Sequence, residues 1–187
     1  MYKKFSDLLH RISTGPVTLA ALVIFLIFTA VALPAQAAEM EENTHGAGSP
    51  DTSLFYTPAD LYQMAEVYGA QGRTTYLRIR FTFDLFWPVV YTLFLATAIG
   101  WLTRRAFPSA SRWQLSNLMP VSGMLLDYLE NICAAVVIGR YPMQTPLVDW
   151  LAPVFTFLKW ASLGLSFLIL LMALLLAIWH RNPSGSN

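Results

Sequence analysis

The sequence predicts an all-α membrane protein, a transmembrane four-helix bundle with one short external amphipathic helix. Three observations carry this expectation. Of 187 residues, 56% are hydrophobic and only 12% charged, with mean hydropathy +0.49, which lies outside the balance of soluble domains. Four apolar stretches, residues 17–33, 81–102, 118–138 and 151–178, approach or exceed the roughly 20 residues a helix needs to cross a bilayer. Basic residues collect beyond alternate ends of these stretches, as topology demands.

The first stretch ends on Leu33-Pro34-Ala35-Gln36-Ala37-Ala38, which resembles the small-residue cleavage site of a secretory signal peptide. Its apolar run is longer than a signal core, so retention as a span is the expectation. Residues 35–80 form a polar external segment. Within it, residues 39–49 have no apolar period and are expected to be mobile. From Thr57 the pattern changes: Thr57 suits a cap, Pro58 the first turn and Asp60 the positive helix end. A helix over about 58–69 follows, with Leu61, Met64, Ala65 and Tyr68 on one apolar face, until Gly69 and Gly72 permit a bend. It reads as a surface anchor or as a cover over a site.

Residues 81–102 carry Pro88, which removes one backbone hydrogen bond and predicts a bend beside Asp84. Residues 118–138 contain the small residues Gly123, Ala134 and Ala135, which let helices approach closely. Residues 151–178 carry Lys159, Ser162 and Ser166 as a polar edge. Lys3, Lys4, Arg11, Arg104, Arg105, Arg112 and Arg181 fall on one side of the membrane, and Arg73, Arg78, Arg80 and Arg140 on the other. This bias places both termini in the cytoplasm.

Four ionisable residues lie within the spans: Asp84, Asp127, Glu130 and Lys159. An ionised side chain at a helix centre costs roughly 2.5–3.5 kcal/mol on insertion scales, so these four should face one another. At about 1.5 Å rise per residue, Lys159 and Glu130 both lie about 12 Å from the external ends, Asp127 about 16 Å and Asp84 about 5 Å. The level match makes Lys159 and Glu130 the preferred ion pair. Arg80, Asp84, Pro88 and Tyr91 share one stripe, and Asp127 and Asn131 another that Glu130 borders. The expected ligand-binding set is therefore Arg80, Asp84, Tyr91, Asp127, Glu130, Asn131 and Lys159. Plain structural roles compete: an i,i+4 ion pair for Arg80 with Asp84, interhelical hydrogen bonding for Asp127 with Asn131, and core packing for Tyr91 and Cys133.

Several chemistries find no support. The composition excludes a disordered chain and a polybasic nucleic-acid binder. A single cysteine, Cys133, leaves no internal disulfide, and no zinc or iron–sulfur spacing is present. No hydrolase, metalloprotease or P-loop motif occurs. No cofactor is expected, and no metal, because Lys159 would compete with a cation among the carboxylates.

The runs Gly48-Ser49-Pro50-Asp51-Thr52-Ser53-Leu54-Phe55-Tyr56, Asp60-Leu61-Tyr62, Tyr68-Gly69, Phe83-Asp84-Leu85 with Pro88 and Tyr91, and Asp127-Tyr128-Leu129-Glu130-Asn131 resemble a family of small uncharacterised bacterial four-helix membrane proteins. The resemblance covers most of the chain after Gly48. It implies a bacterial plasma-membrane location and a four-helix bundle, and it carries no activity. Membrane lipids are the expected surroundings. The expected function is binding or transport of a small amphiphile or lipid headgroup in an outward-opening polar cavity. Two alternatives stand beside it: an assembly subunit with a membrane-protein partner, and a membrane enzyme using Asp127 or Glu130 as acid and base on a lipid or isoprenoid substrate.

Overall fold

The structure, a computed structural model, describes residues 2–181, and among these every regular element is helical. In chain order they are α1 (Tyr2–Ile12), α2 (Gly15–Ile27), a π-helical stretch Phe28–Ala32, α3 (Leu33–Asn43), a 3-10 turn Pro50–Thr52, α4 (Pro58–Arg80), α5 (Phe83–Ala106), a 3-10 stretch Arg112–Leu118, α6 (Met119–Arg140) and α7 (Val148–Arg181). Four helical stretches are long and apolar enough to cross a membrane: Gly15–Asn43, Pro58–Ala106, Arg112–Arg140 and Val148–His180. Only 11% of the first apolar window and 22% of the last are buried. Apolar helices left this bare are compatible with an integral membrane protein, whose outer faces meet hydrocarbon.

By its contacts the chain forms two compact units, one of residues 2–25, 90–123 and 161–181, the other of residues 26–89 and 124–160. In the first, helix α1 is held through Ser6, its one buried residue. Ser6 Oγ donates to Asn117 Oδ1 at 2.8 Å, and the Asn117 amide returns to the Ser6 carbonyl at 3.1 Å. Tyr2, Phe5, Leu8 and Ile12 are left exposed, the arrangement of an interfacial helix. The core here is built from small side chains, Ala21, Ala96, Ala98 and Ala173, around Leu95 and Ile99, which lets backbones approach. Thr97 and Thr103 bond back to the Leu93 and Ile99 carbonyls at 2.7 and 2.8 Å, so their hydroxyls cost little inside an apolar unit.

In the second unit the helix of the first span does not stop at residue 33. Pro34 lacks an amide hydrogen and its ring crowds the preceding turn, and the wider π-helical turn just before it absorbs that defect. The chain then continues as α3 to Asn43. The expectation of mobility over 39–49 is therefore corrected: Met40 joins the core, and Thr44 and Ser49 are buried.

Helix α4 begins as expected, on a capping box in which Thr57 Oγ1 accepts from the Asp60 amide and the Thr57 amide donates to Asp60 Oδ2 at 2.7 Å. Leu61, Ala65 and Tyr68 are buried. Gly69 bends the chain, with φ 60° and ψ −173°. The helix does not end there, however. It resumes to Arg80, eleven residues beyond the expected stop, with Arg73 donating to the Ala65 carbonyl at 3.0 Å across the bend. Gly72 serves packing: a β-carbon there would strike the Asn43 carbonyl oxygen.

Tyr62 fastens α4 to the link before α7, accepting from the Thr145 amide at 2.7 Å and donating to Asp149 at 3.1 Å. Tyr128 donates to the Leu85 carbonyl at 2.8 Å, in the stretch of α5 that Pro88 weakens. Tyr56, Leu61, Tyr68, Tyr76, Ile79, Ala134, Val137 and Ile138 make the core of this unit.

Candidate functional site

The second unit gathers six side chains with formal charge into one network. Lys159 on α7 pairs with Glu130 on α6, and its ammonium lies 3.6 Å from Asp127 Oδ1. Arg80, the last residue of α4, places Nε 3.1 Å from Asp84 Oδ2 in the first turn of α5, and donates to Asn131 Oδ1 at 2.8 Å. Asn131 donates in turn to Asp127 Oδ1 at 3.1 Å, one turn earlier on the same helix. Arg80 also lies over the Tyr76 ring, 4.6 Å from its centroid.

The sixth charge comes from the linker. Asp51, on the 3-10 turn Pro50–Thr52, pairs with Arg80 through Oδ2 and sets Oδ1 3.3 Å from Lys159 Nζ. Trp160 Nε1 donates to the Asp51 backbone carbonyl at 3.2 Å. Burial by itself would raise the Asp51 carboxyl, yet the Arg80 guanidinium and the Lys159 ammonium outweigh it and hold the group well below the usual carboxylate range. Asp51 therefore stays ionised at neutral pH.

Most of the expected site residues thus meet. Arg80, Asp84, Asp127, Glu130, Asn131 and Lys159 converge and are all buried, and the Lys159–Glu130 pair is the one that matched depths indicate. Arg80 with Asp84 is an i,i+4 pair as expected, but with side chains only 2% and 9% exposed it is a buried pair and not an interfacial one. Tyr91 belongs to the first unit, where it is buried.

Asp51 escapes sequence reasoning because its segment has no period that predicts where it points. The available signal was Pro50-Asp51 closing a Gly/Ser-rich stretch, in a chain whose buried Arg80 and Lys159 both needed anions. Tyr56 was missed for the same reason. Its hydroxyl lies 3.0 Å from Thr156 Oγ1, one turn before Lys159, and burial pushes the phenol above its ordinary value.

Carboxylate oxygens of Asp51, Asp127 and Glu130 lie within 4.8 Å of one another, close enough to hold a cation. Lys159 Nζ reaches all three. The tethered ammonium already supplies positive charge to this cage, so a metal ion would have to displace it. Beside the linker opens a cleft of about 490 Å³, whose lining includes His45, Phe55, Tyr56, Gln63, Met64 and Val67. Tyr56 is shared: it lines this cleft, and its hydroxyl bonds Thr156.

Compared with known proteins, the chain matches no family model, no curated protein and no solved structure.

Proposed function

We propose that this integral membrane protein binds, and in doing so serves to sequester or move, a small amphiphile or lipid whose polar end enters the Arg80–Lys159 network. One observation carries the reading: a linker carboxylate, and not a helix-borne one, reaches between two buried cations. A network meant only to fix helix packing would be complete with partners on the helices themselves. The cleft shared by Tyr56 has a volume within the range of small-molecule sites, and apolar groups such as Phe55 and Met64 suit an acyl or isoprenoid chain. The orientation belongs to this proposal: both termini cytoplasmic, the linker and α4 on the outer side, and the site reached from there, in the plasma membrane of a bacterium and in a member of the small four-helix family the sequence resembles.

Mass spectrometry of protein released from native membrane discs tests it. A retained amphiphile that is lost in Lys159→Met and in Arg80→Gln supports the reading. A molecule retained equally by all three proteins, or none retained by any, removes it. A second reading, an assembly subunit whose charges specify packing, is favoured by the fact that each charge in the network has an internal partner. Under that reading the same variants lower complex yield in native membranes and alter no bound molecule.

A further inference from the structure

Asp51 differs from the other acidic members of the network. Asp84, Asp127 and Glu130 stand on helices and are buried, whereas Asp51 stands on a single turn and keeps 25% of its side chain exposed. Its two oxygens are divided between a guanidinium and an ammonium whose own side chains are 2% and 4% exposed. A carboxylate gripped through both oxygens by buried cations has the geometry of a bound anion. The turn that brings it there is closed mainly on itself: Thr52 Oγ1 and Ser53 Oγ both return to the Ser49 carbonyl, at 2.9 and 3.3 Å. Trp160 and Tyr68 fasten it to helices by one hydrogen bond each, to the carbonyls of Asp51 and Gly48. Just upstream, Gly46 and Gly48 hold φ of +74° and +75°, positions at which glycine lets the chain change course at little cost.

We infer that Asp51 is a tethered stand-in for the ligand's own acidic group, and that the network accepts a monoanionic amphiphile, headed by a carboxylate or a phosphodiester, when the 49–53 turn withdraws. This rests on the binding reading above and names its ligand class. The argument is one of exchange. Withdrawal of Asp51 takes one negative charge away from Arg80 and Lys159. A ligand carboxylate, or the two non-bridging oxygens of a phosphodiester, restores both contacts and the same total charge. A neutral or cationic head restores neither contact, and an incoming anion takes the place of Asp51 beside Asp127 and Glu130. A tethered carboxylate also competes at high effective concentration, so wild type holds an anion more weakly than the same site without Asp51.

The test uses full-length protein in lipid discs of phosphatidylcholine doped with oleate, phosphatidylglycerol or the uncharged diacylglycerol, with bound molecules counted by native mass spectrometry. Removing the tethered competitor in Asp51→Asn raises retention of an anionic species by at least about tenfold over wild type, given the millimolar effective concentration of a short tether. Retention of diacylglycerol, which has no anionic head, stays unchanged, and Asp51→Asn/Lys159→Met loses the gain. A gain with oleate alone identifies a carboxylate head, and a gain with phosphatidylglycerol alone a phosphodiester. No gain with either anion, or an equal gain for diacylglycerol, overturns the inference.

A second measurement covers a poorly folded variant. In Asp51→Gly, added acetate should raise the thermal midpoint, while wild type and Asp51→Gly/Lys159→Met do not respond. An identical response of all three again overturns the stand-in. If wild type retains a neutral amphiphile that Lys159→Met loses, yet Asp51→Asn gains no anion, the binding reading stands and this inference alone falls.

Discussion

Lys159 and Glu130 form an ion pair whose side chains are 4% and 1% exposed. At that burial neither charge can fall back on water when its partner is removed, so single neutralisations should cost far more than a surface pair does. Lys159→Met is expected to destabilise the protein by about 3–5 kcal/mol, the range for breaking a buried pair from one side. Lys159→Met/Glu130→Gln should recover part of that loss, because the stranded carboxylate is gone. Denaturant unfolding in detergent micelles measures the cycle. Simple additivity of the two single changes would mean that the pair is not coupled.

The acid limb of stability should belong in part to Asp51. Its folded-state carboxyl lies below the ordinary value of 3.8, where the unfolded chain titrates. A group depressed in this way contributes stability that is complete above the unfolded value and disappears as pH falls through the folded one. Wild type is therefore expected to lose stability as pH drops below about 4, and Asp51→Asn to show a shallower acid limb together with lower stability at pH 7. Unfolding midpoints measured between neutral pH and acid decide it; parallel curves for the two proteins would contradict the assignment.

On the alkaline side the sign is opposite. Burial raises the Tyr56 phenol above its ordinary 10.0, so its contribution is complete below pH 10 and is lost as pH rises through the folded value. Tyr56→Phe keeps the ring and removes the hydrogen bond to Thr156, whose own hydroxyl still donates to the Ala152 carbonyl at 3.0 Å. The expected cost at pH 7 is about 0.5–1.5 kcal/mol, with reduced sensitivity to alkali. A variant as stable as wild type at neutral pH would show that this hydrogen bond contributes nothing net.

How much of this was legible in the sequence depends on whether a residue lies in a periodic segment. Asp84, Asp127, Glu130 and Lys159 lie on long apolar helices, where each rise step is fixed, and depth alone paired Lys159 with Glu130. The spans expected at 81–102, 118–138 and 151–178 fall inside α5, α6 and α7 apart from the two residues before Phe83 and the one before Met119. Capping chemistry was equally local and equally readable at Thr57. Asp51 was not readable, because a linker's destination is set by the partners it finds and those lie on α4 and α7. Gly69 shows the same limit differently. The bend was local and visible, whereas the resumption of α4 depends on burying Tyr76 and Ile79 in a core that only the folded chain assembles.

Three glycines separate the reasons a glycine is present. At Gly72 a β-carbon would collide with the backbone oxygen of Asn43 and lie 3.0 Å from the Tyr68 β-carbon. Neither is a flexible side-chain end, so Gly72→Ala should cost about 1–3 kcal/mol through overpacking. At Gly69 nothing lies within 4 Å, yet φ is +60°. Gly69→Ala should therefore also cost about 1–3 kcal/mol, here through backbone strain alone. At Gly164, inside α7, nothing lies within 4 Å and no positive φ is present. Gly164→Ala should be neutral or stabilise by up to about 1 kcal/mol, as the helix propensities predict. Unfolding of the three variants side by side checks the order. If Gly164→Ala proved as costly as Gly72→Ala, the exposed face of α7 at that level would have to be packed against something in the membrane.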